Sequence, residues 1–228
     1  MSHNILLNLN SEPAFDQIRV SDIKPAMQTA MAEAREQIAA IKQQPESTWL
    51  NTVEALTDIT ERVGRIWGVV AHLNSVVDTP ELRAVYNELM PEITVFFTEI
   101  GQDIALYERF KAIKNAPEYA QLSPAQQTKL AHDLRGFVLS GAELPPEQQA
   151  RFAQLQTESA QLSAQFSQNV LDATDAFALY FDDAGSLKGV PEDALAMFQA
   201  AAAAEQKSGY KVGLQMPHYL AIQPFLLY

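Results

Sequence analysis

The sequence predicts a mainly α-helical fold, an elongated multi-helix lobe with a small two-stranded β element near the C-terminus. Through most of the chain apolar residues recur at steps of three and four, which draws one stripe along each helix. Helix starting and stopping residues stand at the ends of those stretches. Beyond about residue 178 the period falls to two, the mark of a strand.

After an extended start, Ile23, Met27, Ala30, Met31, Ala34, Ile38 and Ile41 form the first stripe. Pro25 fits only the first turn of that helix, where no N–H is needed. A second helix follows Pro45, with Trp49, Val53, Leu56, Thr60, Val63, Trp67 and Val70 on one face. Gly64 and Gly68 weaken its propensity and leave room for another helix to come close. Thr79 as N-cap and Pro80 as first helical residue open a third helix, which Pro91 and Gly101 kink or divide.

Ser123, Pro124 and Gln126 spell a capping box, and Gly141 stops the helix that it begins. From PPEQQ onward, Phe152, Leu155, Ser159, Leu162, Phe166 and Val170 keep helical spacing to about Ala176, which makes one long helix. ALYFDD and YKVGLQ read as short strands that pair, the second because Tyr210, Val212 and Leu214 alternate with polar or small residues. An alanine-rich helix from Pro191 to about Gln206 is their crossover.

The chain carries 28 acidic and 16 basic residues, a formal charge of −12. Such a balance opposes unspecific attachment to phosphate backbones and anionic lipid, so neither nucleic acid nor a membrane is an expected partner. With no cysteine there is no disulfide, thiolate metal site or thiol nucleophile. The start, MSHNILLNLN, lacks a basic signal region, and no stretch reaches the roughly 18 apolar residues that span a bilayer. The expected location is the cytoplasm.

The four histidines, His3, His72, His132 and His218, are far apart, and none opens the HExxH pair that holds zinc beside a general base. His72 reads as a helix C-terminal residue, His132 as a surface or capping residue, and His218, after Pro217, as part of a turn. Ser140 sits at a helix stop and in no G-x-S-x-G elbow. Asp182 and Asp183 belong to a turn, and Phe96, Phe97, Tyr107 and Phe110 to a core. Accordingly no residue is assigned a catalytic, cofactor-binding or metal-binding role.

Three stretches together resemble the thimet oligopeptidase family of zinc metallopeptidases: GRIWGVVAHLNSVVDTPELRAVYNELMPEI; HDLRGFVLSGAELPPEQQARFAQLQTESAQLSAQFSQNVLDATDAF; and VPEDALAMF with GYKVGLQMPHYL. The likeness runs from Phe15 to about Gln223, and FSQNVLDATDAF, after the long helix, is fairly specific to it. It implies a cytoplasmic enzyme that trims short peptides with zinc-activated water, inside a channel between two helical lobes. Residues 1–228 then form a single truncated N-terminal lobe, with 178–216 as a strand-helix-strand element within it. Zinc belongs to the full-length family; this chain supplies no cofactor site, and its expected partners are short peptides and a missing C-terminal catalytic part. The closing PFLLY reads as a frame change or an engineered end. Two alternatives stand beside this reading, a stand-alone helical peptide-binding or interaction module and a gene product without function.

Overall fold

The structure, a computed structural model, describes residues 4–8 and 12–223. The chain divides into two compact units, residues 1–161 and 162–228. His3 and the closing PFLLY lie outside the described residues.

In the first unit the described part of the start is not extended throughout. It forms two 3₁₀ turns, Ile5–Asn8 and Phe15–Gln17, because Leu6 is drawn fully into the core. Helix α1 (Val20–Lys42) follows, with the seven residues of its predicted stripe all buried. It begins one turn earlier than Pro25 allows for a first-turn proline, and Pro25 lies inside it. A proline there costs about 3 kcal/mol. Neighbouring Ile23 and Met27 are both fully buried, and each such side chain contributes about 1.5–3 kcal/mol, so burial outweighs the local cost.

A capping box at Thr48 and Asn51 opens a π-helical turn, Trp49–Glu54, which runs into α2 (Ala55–Val76). Val53, Leu56, Val63 and Val70 are buried as the stripe predicts, with Trp49, Thr60 and Trp67 half-buried at its margins. Gly64 and Gly68 do not admit a close helix, since a β-carbon at either would meet nothing within 4 Å. Trp67 instead stacks on Tyr86 at 4.7 Å between ring centres.

Helix α3 (Pro80–Gly101) starts at the Thr79 cap, passes Pro91 unbroken and stops at Gly101. Leu89, Ile93 and Phe96, buried on either side of Pro91, hold the helix together. Phe97 is not core: it is 39% exposed and packs edge-on to Phe96 at 5.1 Å. Asp103 then caps α4 (Ile104–Asn115), accepting from the N–H groups of Ala105 and Leu106. Ion pairs Lys24–Glu88 at 2.5 Å, Arg35–Glu99 at 3.0 Å and Lys42–Asp103 at 2.6 Å join α1 to α3 and its end in the same order along both, so the two helices run parallel.

Helix α5 (Pro124–Leu139) has the predicted Ser123–Gln126 capping box. It ends in a Schellman turn: Gly141 takes φ +92°, its N–H donates to Val138 O, and the Ala142 N–H donates to Phe137 O. Tyr107, Phe110 and Phe137 cluster at 5.1–5.7 Å, joining α4 to α5. Helix α6 (Pro146–Ala176) is anchored at its start, where the Gln149 side chain donates to Gly141 O and Ala142 O.

The second unit has a core of its own: Leu187, Val190, Ala194, Phe198, Val212 and Ile222. Strands β1 (Ala178–Phe181) and β2 (Tyr210–Gly213) pair antiparallel, with Leu179 opposite Val212, and α7 (Glu192–Ala204) connects them. A short helix follows, α8 (Met216–Ile222), where the sequence suggested only a Pro-His turn.

Candidate functional site

A groove of about 600 Å³ lies between α1 and the start of α2 in the first unit. Its floor is small and apolar because alanines recur on both helices, Ala30 and Ala34 from α1 and Ala55 from α2, with Ile41 and Ile59 beside them. Gln37, Gln44, Asn51, Asp58 and Arg62 form the rim, and Arg62 pairs with Glu33 at 2.7 Å. Asn51 is committed to local structure: its side chain accepts from the Thr48 N–H and donates to Glu46 O. The lining includes no histidine, serine or tyrosine, so the groove offers a largely apolar packing surface without a hydroxyl nucleophile or an imidazole base. Sequence periodicity placed Ala30, Ala34 and Ile41 in the core; that they also floor a groove follows from small side chains facing each other across two helices, which a single stripe does not reveal.

The histidines stay apart. His72, near the end of α2, is exposed, and its ring lies 5.4 Å from that of Phe15. His132 is exposed on α5. His218 accepts at Nδ1 from the Gly213 N–H at 3.0 Å and packs against Phe198. Among the described residues no three His, Cys, Asp or Glu side chains are placed to hold a metal ion. A zinc ion needs about four ligands, or three and a water, so the side chains described here do not fit it. Asp183 accepts from the Gly185 N–H at 2.7 Å, the turn role expected of it.

The most unusual surface is helix α6. Over its 31 residues it buries none. In its part from residue 162 on, which belongs to the second unit, Leu162, Phe166 and Val170 are 59%, 70% and 51% exposed, and they share one face at helical spacing. An exposed apolar stripe of this kind suits an interaction surface. The stripe itself was legible in the sequence; that nothing described covers it was not.

The family model described as the N-terminal domain of neurolysin and thimet oligopeptidase matches residues 27–149, more than half of the chain. The chain belongs to that family. Oligopeptidase A of Haemophilus influenzae is 36% identical over 222 residues, and oligopeptidase A of Escherichia coli 35% over 223. A probable cytosolic oligopeptidase A of Arabidopsis thaliana is 32% identical over 229 residues. Each match covers 97% of this chain and 33% of the relative, so the chain spans about a third of the length of the curated relatives it matches. Within the family it corresponds to the N-terminal domain of oligopeptidase A-like peptidases, and no helix among the described residues is long and apolar enough to cross a membrane.

Proposed function

We propose that this chain is the front lobe of a zinc-dependent oligopeptidase: it forms one wall of a channel that admits short peptides, and the zinc ligands and catalytic groups belong to the part of the relatives it does not span. The observation that carries the proposal is α6, a 31-residue helix with an apolar face and no buried residue. Such a face is built to be covered, and the relatives are about three times as long as this chain. The proposed covering partner is the remainder of the oligopeptidase polypeptide. In the intact enzyme this wall would orient an extended peptide, and a zinc ion held by residues outside this chain would supply Lewis-acid activation of water. By itself the chain hydrolyses nothing. The proposed setting is the cytoplasm.

The experiment is a pair of measurements on the purified chain. With zinc and a short fluorogenic peptide it shows no turnover, and with a hydrophobic dye it shows binding and concentration-dependent self-association, because the α6 face is open. A monodisperse monomer that is silent to the dye, or measurable hydrolysis that a chelator abolishes, overturns the proposal. Micromolar peptide binding without cleavage by such a monomer supports the stand-alone binding module in its place.

A further inference from the structure

We propose that His218 is an acid-released latch: neutral, it fastens α8 to the end of β2, and protonated, it lets α8 go. The fastening is a single directed bond, in which the Gly213 N–H donates to Nδ1 at 3.0 Å. A histidine accepts at Nδ1 only when that nitrogen carries no proton, so the bond requires the neutral ring protonated at Nε2. Protonation puts an N–H where the acceptor was, facing the Gly213 N–H donor to donor. The ring cannot easily turn away, because its edge packs against Phe198 of α7 at 5.1 Å and 69°.

The latch matters because α8 has few other holds. It is seven residues long, far below the length at which a helix is stable alone, and no side chain caps its start. Its other attachments include Ile222, buried with Val212 and Phe198, Ala221, half-buried against the same cluster, and the side chain of Gln215 just before the helix, which donates to Asp175 at 3.1 Å. The charged groups on the elements packed around the ring are Lys211 of β2, Glu192 and Asp193 in the first turn of α7, Glu205 at its end, and Asp175 at the end of α6. Lys211 is paired with Glu205, and α8 itself contributes no charged residue.

Burial, and secondarily the charge of Lys211, hold the ring's pKa below its ordinary 6.5. The folded ring therefore stays neutral to lower pH than the unfolded one. The latch is intact above pH about 6.5 and is lost as pH falls from there through the depressed folded value. His218 is the one histidine between residues 162 and 228, so a transition in this range within the second unit belongs to it.

The test is an NMR titration of the ¹⁵N-labelled chain from about pH 7.5 to 5, the range in which histidine changes charge. The expected result is that the His218 ring and the Gly213 amide titrate together with a midpoint below that of a free histidine. Amides of α8 lose exchange protection, corrected for intrinsic rates, over the same range. In His218→Asn, which offers an acceptor that does not titrate, α8 keeps its protection at both ends of the range. A Gly213 amide that stays flat while the ring titrates overturns the latch, as does the same loss of protection in His218→Asn. If that variant does not fold, the joint titration in the parent chain decides alone.

Discussion

A β-carbon built on Gly101 would stand 2.7 Å from the β-carbon of Ser140 and 2.8 Å from its Oγ. The last residue of α3 thus touches the C-cap of α5 with no space for a methyl group. Gly101→Ala should lower stability by about 1–3 kcal/mol, the usual cost of overpacking, although alanine alone favours a helix by about 1 kcal/mol over glycine. Thermal melts of Gly101→Ala and of Gly101→Ala with Ser140→Gly check it. The second variant should recover most of the loss, and equal losses in both would assign the cost elsewhere.

Arg109 closes the loop after α1 by donating to three backbone carbonyls, Lys42 at 3.4 Å, Gln44 at 2.9 Å and Glu46 at 2.8 Å. Only a planar guanidinium reaches all three, so lysine should not replace it. Arg109→Lys and Arg109→Met are both expected to cost about 1–3 kcal/mol in urea unfolding, because carbonyls lose charged donors. A fully stable Arg109→Lys would contradict the geometry.

At the other end of the chain Glu205 is held by Lys211, by the Tyr180 hydroxyl at 2.6 Å and by Lys207 at 3.2 Å. These hydrogen bonds, that of Lys211 foremost, pull its pKa down from 4.5 to about 2. A depressed carboxyl stabilises the fold above its unfolded pKa, so this contribution is present above pH 4.5 and disappears as pH falls toward about 2. Carbon-detected NMR of the Glu205 carboxyl should show the low midpoint, and it should rise in Lys211→Met and at high salt, since the cluster is exposed.

Phe166→Ser and Leu162→Ser should leave the melting temperature of this chain almost unchanged, since both side chains are mostly in water, at 70% and 59% exposure. Dye binding and self-association should fall in both. A large drop in stability would mean that the α6 face is already covered.

How much was legible follows the reach of each signal along the chain. Caps are local chemistry, so Thr79, Ser123 with Gln126, and Gly141 announced the ends of α3 and α5. Stripes repeat over many turns, and that of α1 was readable for the same reason. Pro25 and Pro91 misled because their cost is local while the burial of Ile23, Met27, Ile93 and Phe96 that outweighs it is tertiary. Seven-residue α8 and the opening 3₁₀ turns are too short to show a period. At the candidate surfaces, periodicity drew the apolar face of α6 yet was silent on whether anything packs over it, and the groove needs two helices at once. His218 read as a turn residue, but its bond to Gly213 depends on where β2 ends.

The proposal that this chain is the front lobe of a longer peptidase can be tested by reading the genomic DNA 3′ of the Tyr228 codon and translating all three frames. An HExxH pair with a further glutamate downstream, in frame or shifted, is the predicted result, because that pair on a helix holds zinc beside a general base. Its absence from every frame would contradict the lobe reading and leave a helical binding module in its place.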